Sequence, residues 1–166
     1  MAVIMDGSEV TRAGEADWRR VRAVRLRALS AAPDAFGASL AEELRLAPAT
    51  WKARLGQENA ATFLARHRGR DVGLAVVVDE GEGAAGLYAV WVEPTARRAG
   101  LGGRLVDAAL GWARARGLRH ANLEVGERNA SAIALYARCG FRPTGRRRSL
   151  PPPRAHVTEQ EWGRSL

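Results

Sequence analysis

Apolar positions change their period several times along this chain, and each change marks an element. From Glu15 to Ala31, Trp18, Val21, Val24 and Ala28 recur three and four residues apart while Arg19, Arg22, Arg25 and Arg27 fill the other faces. That spacing predicts an amphipathic helix, ended by Pro33. Residues 39–46 and 48–55 read as two further short helices. Around Arg68-Gly69-Arg70-Asp71 the apolar residues run on without a helical gap, over 60–66 and 72–78, the mark of a hairpin. A turn rich in Gly and acidic residues, 79–83, leads to a third strand over 86–92. It stops at Glu93-Pro94, where proline removes a ladder donor. Leu101, Leu105, Ala108 and Trp112 restore the helical period from about 101 to 116, and Gly117 ends it. The order then continues with a strand over 119–125, a helix over 131–138 closed by Gly140, and a strand over 141–149. Beyond Pro151-Pro152-Pro153, residues 157–164 read as one last edge strand. Strand 86–92, helix 101–116 and strand 119–125 form a βαβ unit, so the two strands are expected to be parallel neighbours joined by a right-handed crossover.

Composition narrows the function classes. The 166 residues fit a single domain spanning 1–166. Cys139 is the only cysteine, which excludes an intramolecular disulfide and a Cys-based zinc site, and no metal is expected. The first ten residues include Asp6 and Glu9, and no stretch approaches a membrane span in length, so a cytoplasmic protein is expected. The net charge of +8 comes almost wholly from arginine, Lys52 being the only lysine. These arginines are scattered rather than blocked, and no aromatic-basic motif accompanies them, so nucleic acid is not the expected partner.

The junction between strand 86–92 and helix 101–116 carries Arg97, Gly100, Gly102 and Gly103. A helix start exposes unpaired N–H groups and a partial positive charge. Glycines there let a phosphate approach the backbone, and arginines add charge-assisted bonds. A P-loop would need Gly-Lys-Ser/Thr, which is absent, and a dinucleotide fingerprint would need a small residue at Leu105. Taken alone, the segment is an anion site or a plain glycine turn. Arg97-x-x-Gly100-x-Gly102 after Val92-Glu93-Pro94, together with Asn129-x-x-Ala132-x-x-Leu135-Tyr136-x-x-x-Gly140-Phe141, resembles the Gcn5-related N-acetyltransferase (GNAT) superfamily. The two motifs lie at the family's separation and in its element order.

The resemblance implies an α/β fold of layered α+β type: a mixed sheet of six to seven strands with about four helices, splayed between the strands at 86–92 and 119–125. It implies acetyl-CoA as donor. Backbone groups of Val90, Trp91 and Val92 would pair with the pantetheine arm, N–H groups of Arg98, Ala99, Gly100, Leu101, Gly102 and Gly103 would hold the pyrophosphate, and Arg97 would belong to the same cofactor site. Asn129 would contact the same arm, or serve as a helix N-cap. Tyr136 lies two helical turns after Asn129 and would protonate the leaving thiolate; its other reading is a core tyrosine. His120, Asn122 and Glu124 alternate with apolar residues on strand 119–125, which places Glu124 on the polar face. The spacing of Glu124 and Tyr136 is similar to the base and acid of ribosomal-protein N-terminal acetyltransferases. Glu93 and a water are the alternatives for the base. Cys139 and Trp91 read as core, Phe36 as core anchor or acceptor contact, and Arg146-Arg147-Arg148 as a solvated strand end or an anion site. The implied activity is transfer of an acetyl group to a primary amine by direct attack, the acceptor being a small molecule or a peptide. A non-catalytic acyl-CoA sensor or partner subunit is the alternative. Dimers are common in the superfamily, and a homodimer formed through the terminal strand stays open.

Overall fold

A computed structural model describes residues 7–166, which form one mixed seven-stranded sheet with helices on both faces. The strands are β1 (Ser8–Ala13), β2 (Ala60–His67), β3 (Arg70–Gly81), β4 (Ala84–Val92), β5 (His120–Gly126), β6 (Arg142–Ser149) and β7 (Thr158–Ser165). The helices are α1 (Trp18–Ala31), α2 (Leu40–Leu44), α3 (Pro48–Leu55), α4 (Leu101–Ala115) and α5 (Ala130–Arg138). Across the sheet the order is β1-β2-β3-β4-β5-β7-β6. The expected βαβ unit is present: β4 and β5 are parallel, and every other neighbouring pair is antiparallel.

Two expectations are corrected. Among the described residues a strand, not a helix, comes first: β1 pairs along its length with β2, from Ser8 opposite His67 to Ala13 opposite Thr62. The last strand is also no edge. β7 lies between β5 and β6, and β6 is the edge. Its exposed arginines suit that place, because charge on an edge discourages pairing with a second chain.

Strand alternation divides the core between the two faces. Ala61, Phe63 and Ala65 of β2, with Val72, Ala75 and Val77 of β3, pack against Leu101, Leu105, Val106, Ala109 and Leu110 of α4. Leu64, Leu74 and Trp91 point the other way, against Val21, Val24, Ala28 and Leu29 of α1. Each face buries several large side chains at roughly 1.5–3 kcal/mol apiece. Gly73 shows how tightly β3 meets β4: a Cβ there would lie 2.7 Å from the Trp91 carbonyl oxygen.

α2 has only five residues and could not stand alone in water. Ser39 and Glu42 cap its start reciprocally, and Glu43, 2% exposed, receives Arg25 from α1 at 3.3 Å and Arg54 from α3 at 3.0 Å. This buried carboxylate ties three helices together.

Candidate active site at the splayed strands

β4 and β5 pair only from Ala84 opposite His120 to Leu87 opposite Leu123. Beyond that point both strands continue without bonding each other, β4 to Val92 and β5 to Gly126. A bulge in β4 accompanies the divergence. Leu74 faces Trp91 and Val76 faces Tyr88, so Ala89 and Val90 together oppose one residue of β3. Ala89 has φ +55°, an uncommon value for a residue with a Cβ. A bulge bends its strand and sharpens the local twist. Here it also shifts the face alternation: Ala85 and Leu87 meet the α4 layer before it, Val90 and Val92 after it. The segment Tyr88–Val92 therefore presents a free strand edge toward the gap.

The β4–α4 junction forms the far end of that gap. Pro94–Ala99 is a 3-10 turn, and Gly100 takes the left-handed conformation at φ +69° immediately before α4. No side chain caps α4, so the N–H groups at its start, Leu101, Gly102 and Gly103 among them, have no side-chain acceptor. Leu101 is buried in the core, whereas Arg97 and Arg98 are exposed. The Arg97 Nε–H turns back to donate to the Val92 carbonyl at 3.0 Å, fixing the strand end to the turn. Asn129 serves as the N-cap of α5, its Oδ1 accepting from the Ala132 N–H at 3.3 Å. Among the described residues its Nδ2 donates to no group.

Tyr136 and Glu124 lie on opposite sides of the sheet. Tyr136 is buried at 7% exposure in the α4-side core with Leu123, Val125 and Phe141, its ring edge-on to Phe141 at 6.0 Å. Its hydroxyl has no hydrogen-bond partner among the described residues. Burial, and to a lesser degree Cys139, pushes its pKa above the ordinary phenol value. Glu124 alternates with Leu123 and Val125 and so lies on the other face, paired with Arg148 of β6. Burial first, then hydrogen bonding with Glu159, raises its carboxyl above the ordinary range, while Arg148 opposes the shift.

That second face is acidic. Glu161 stands opposite Glu124 on β7, and Glu159, 7% exposed, receives Arg148. On β4, the exposed Tyr88 hydroxyl donates to Glu80, and the Asn122 amide donates to the same carboxylate at 3.4 Å. Burial and Glu80 push the Tyr88 pKa up to about 12. Tyr88, Glu80 and Glu159 were not singled out by sequence reasoning. An aromatic residue in a strand resembles a core residue, and only the bulge turns Tyr88 outward.

The remaining candidates fall outside the gap. Glu93 is bound by Arg27 at 2.8 Å and Arg70 at 3.0 Å, which gives it the role of an anchor between α1 and the β3–β4 layer. His120 is exposed at the start of β5, and Phe36 is a buried member of the α1-side core. Arg147 and Arg148 pair with Glu127 and with Glu124 and Glu159, so they are internal counter-charges. Cys139 is half-buried, and burial raises its thiol pKa, which disfavours the reactive thiolate.

Residues 25–141 match the model of the acetyltransferase (GNAT) family. The chain belongs to this family. A mycothiol acetyltransferase of Geodermatophilus obscurus is 44% identical over 64 residues, covering 38% of this GNAT chain and 21% of that protein. An IAA acetyltransferase of Azospirillum brasilense is 36% identical over 92 residues, covering 55% of this chain and 60% of that protein. The chain thus spans 60% or less of the length of these curated relatives. A GNAT-family acetyltransferase structure from Streptococcus pneumoniae superposes with a TM-score of 0.79 at 21% identity, over 96% of this chain and 99% of that one, a likeness of fold. No helix among the described residues is long and apolar enough to cross a membrane.

Proposed function

We propose that this GNAT domain is an acetyl-CoA-dependent N-acetyltransferase acting on a cationic primary amine. The observation that carries the reading is the β4–β5 gap with a free strand edge, an uncapped helix start at one end and a titratable group on each side. The residues present fit acetyl-CoA. A free strand edge suits the amides of a pantetheine arm, as an added strand would. The N–H groups at 98–103 suit a pyrophosphate, and the unused Asn129 amide suits an acceptor atom on the arm. Bound acetyl-CoA supplies an activated acetyl thioester. A backbone N–H near Val92 would hold the developing oxyanion.

The acceptor would enter over the Glu124 face. There Glu80, Glu124, Glu159 and Glu161 outnumber Arg148 and the nearby Arg154, which favours a positively charged amine. An ammonium group near pKa 10.4, to take a typical value, must lose a proton before it attacks, and Glu124 accepts it directly or through water. Tyr136 donates its proton to the departing sulfur. Burial keeps that hydroxyl protonated and so able to donate.

Glu124→Gln is expected to lower kcat/KM by roughly 100-fold and to remove the acid limb of its pH profile. That limb should sit above the ordinary carboxylate pKa, because burial and Glu159 raise Glu124. The same shift has the opposite sign for stability. A carboxyl raised in the folded state binds protons more tightly there, so its contribution falls as pH climbs from the ordinary value through the raised one. Glu93→Gln should instead lower Tm and leave the pH limb in place, because Glu93 is held by two arginines. A limb that persists in Glu124→Gln and vanishes in Glu93→Gln would reverse the assignment.

Gly100→Ala tests the anion end. A Cβ at φ +69° meets no neighbour but strains the backbone by about 1–2 kcal/mol and re-aims the N–H groups that follow. Acetyl-CoA affinity by calorimetry is expected to fall about tenfold, the equivalent of 1.4 kcal/mol. Unchanged affinity would separate this turn from the donor site. The non-catalytic alternative predicts stabilisation by CoA with no free thiol released from acetyl-CoA in the presence of any amine.

A further inference from the structure

The connection between α1 and α2 and the hairpin loop between β6 and β7 are far apart in sequence yet bonded to each other. Arg154, in the β6–β7 loop, donates from Nη1 to the Pro33 carbonyl at 3.2 Å and to the Phe36 carbonyl, and from Nη2 to the Gly37 carbonyl at 2.7 Å. His156 stands 3.4 Å from Asp34 across the same seam. The placement of the seam matters. The β6–β7 loop leaves the sheet just past Arg148 and Glu159, the two groups bonded to Glu124, and the turn Pro33–Ala35 packs beside β5. The bonded loops therefore arch over the end of β5 that carries Glu124.

We propose that Arg154 is a positioning residue for the acceptor: its guanidinium joins the two loops into a bridge over Glu124, and the span of that bridge sets which amines reach the gap. This rests on the reading that the acceptor approaches over the Glu124 face. Three backbone carbonyls converging on one planar fork fix the distance between the loops in a way a solvated arginine would not. The carbonyls belong to a surface connection and would find water if released, so the bond is not needed for folding. Its consequence is confined to the acceptor side, because the helix start and Asn129 lie on other segments.

The test compares wild type, Arg154→Ala and Arg154→Lys by release of free CoA from acetyl-CoA, with propylamine, benzylamine and spermidine as acceptors. Arg154→Ala is expected to raise the KM of propylamine and spermidine about tenfold through lost positioning and to shift preference toward benzylamine. The acetyl-CoA KM should stay within about twofold of wild type. Arg154→Lys should recover part of the effect, since an ammonium can bond some of the carbonyls but lacks the fork. In parallel, amide hydrogen exchange over residues 32–40 should quicken in Arg154→Ala at unchanged Tm. Unchanged exchange overturns the bridge whatever the activity. Quickened exchange with unaltered acceptor KM and preference overturns the positioning role while leaving the acetyltransferase reading intact. If wild type acetylates none of the amines although the exchange arm responds, the acceptor reading itself fails, and the proposal with it.

Discussion

Tyr136→Phe is expected to lower kcat by roughly 100-fold while leaving the acetyl-CoA KM within about twofold and the folded state at least as stable. The three expectations follow from one position. The ring is buried against Phe141 and the α4-side core, so a phenylalanine fills the same space. The hydroxyl bonds no described residue, so its removal leaves no protein donor or acceptor stranded. A tyrosine that served only packing would therefore show no fall in turnover on this change. Burial also moves the phenol pKa upward, so on the proposed mechanism the wild-type protein should show no alkaline limb from Tyr136 in the range where most amines are assayed. The measurement is steady-state release of free CoA from pH 6 to 10, with thermal melts of both proteins. Wild-type turnover in Tyr136→Phe would remove Tyr136 from the chemistry. A large loss of Tm would show instead that the hydroxyl carries structure.

How far such a site can be read from sequence depends on the range of the interactions that make it. α4 was legible because Leu101, Leu105 and their neighbours keep one face to the core over four turns, and a local period records that. The βαβ order made the parallel neighbours legible, and with the family motifs the gap between them. β1 was not, because Ser8–Ala13 is a short edge strand whose apolar content is small and whose pairing partner lies some fifty residues on. The place of β7 between β5 and β6 was hidden for a related reason: a hairpin from β6 suggests an edge, and nothing local says that the second arm inserts inward. The bulge at Ala89 carries no glycine to announce its positive φ. Residues that depend on it, Tyr88 above all, were consequently missed. Glu43 and Arg154 were silent for another reason. Acidic and basic residues in short helices and loops ordinarily face water, and only tertiary contact turns these two inward.

Glu43→Ala should be the most destabilising of the substitutions considered, at about 3 kcal/mol, and should lower Tm by roughly 10 °C. Glu43 is 2% exposed and bonded by Arg25 and Arg54, whose guanidinium groups also lie over Phe36 and Trp51. Removing the carboxylate leaves Arg25, which is 17% exposed, without its counter-charge and opens a void between α1, α2 and α3. Arg54 is 44% exposed and can turn to water, which keeps the cost at the lower end of the range for broken buried pairs. Glu43→Gln keeps the volume and some hydrogen bonding but not the charge, so it should fall between wild type and Glu43→Ala. A Tm in Glu43→Ala within two degrees of wild type, to take a rough threshold, would show that the helices pack without this pair. The effect on function should be as uneven as the geometry. α2 adjoins the connection that Arg154 holds, whereas the segments proposed to bind acetyl-CoA lie on β4, α4 and α5. At a temperature where Glu43→Ala is still folded, its acetyl-CoA affinity should match wild type and its acceptor KM should rise. That pattern would locate the structural role of the buried carboxylate on the proposed acceptor side.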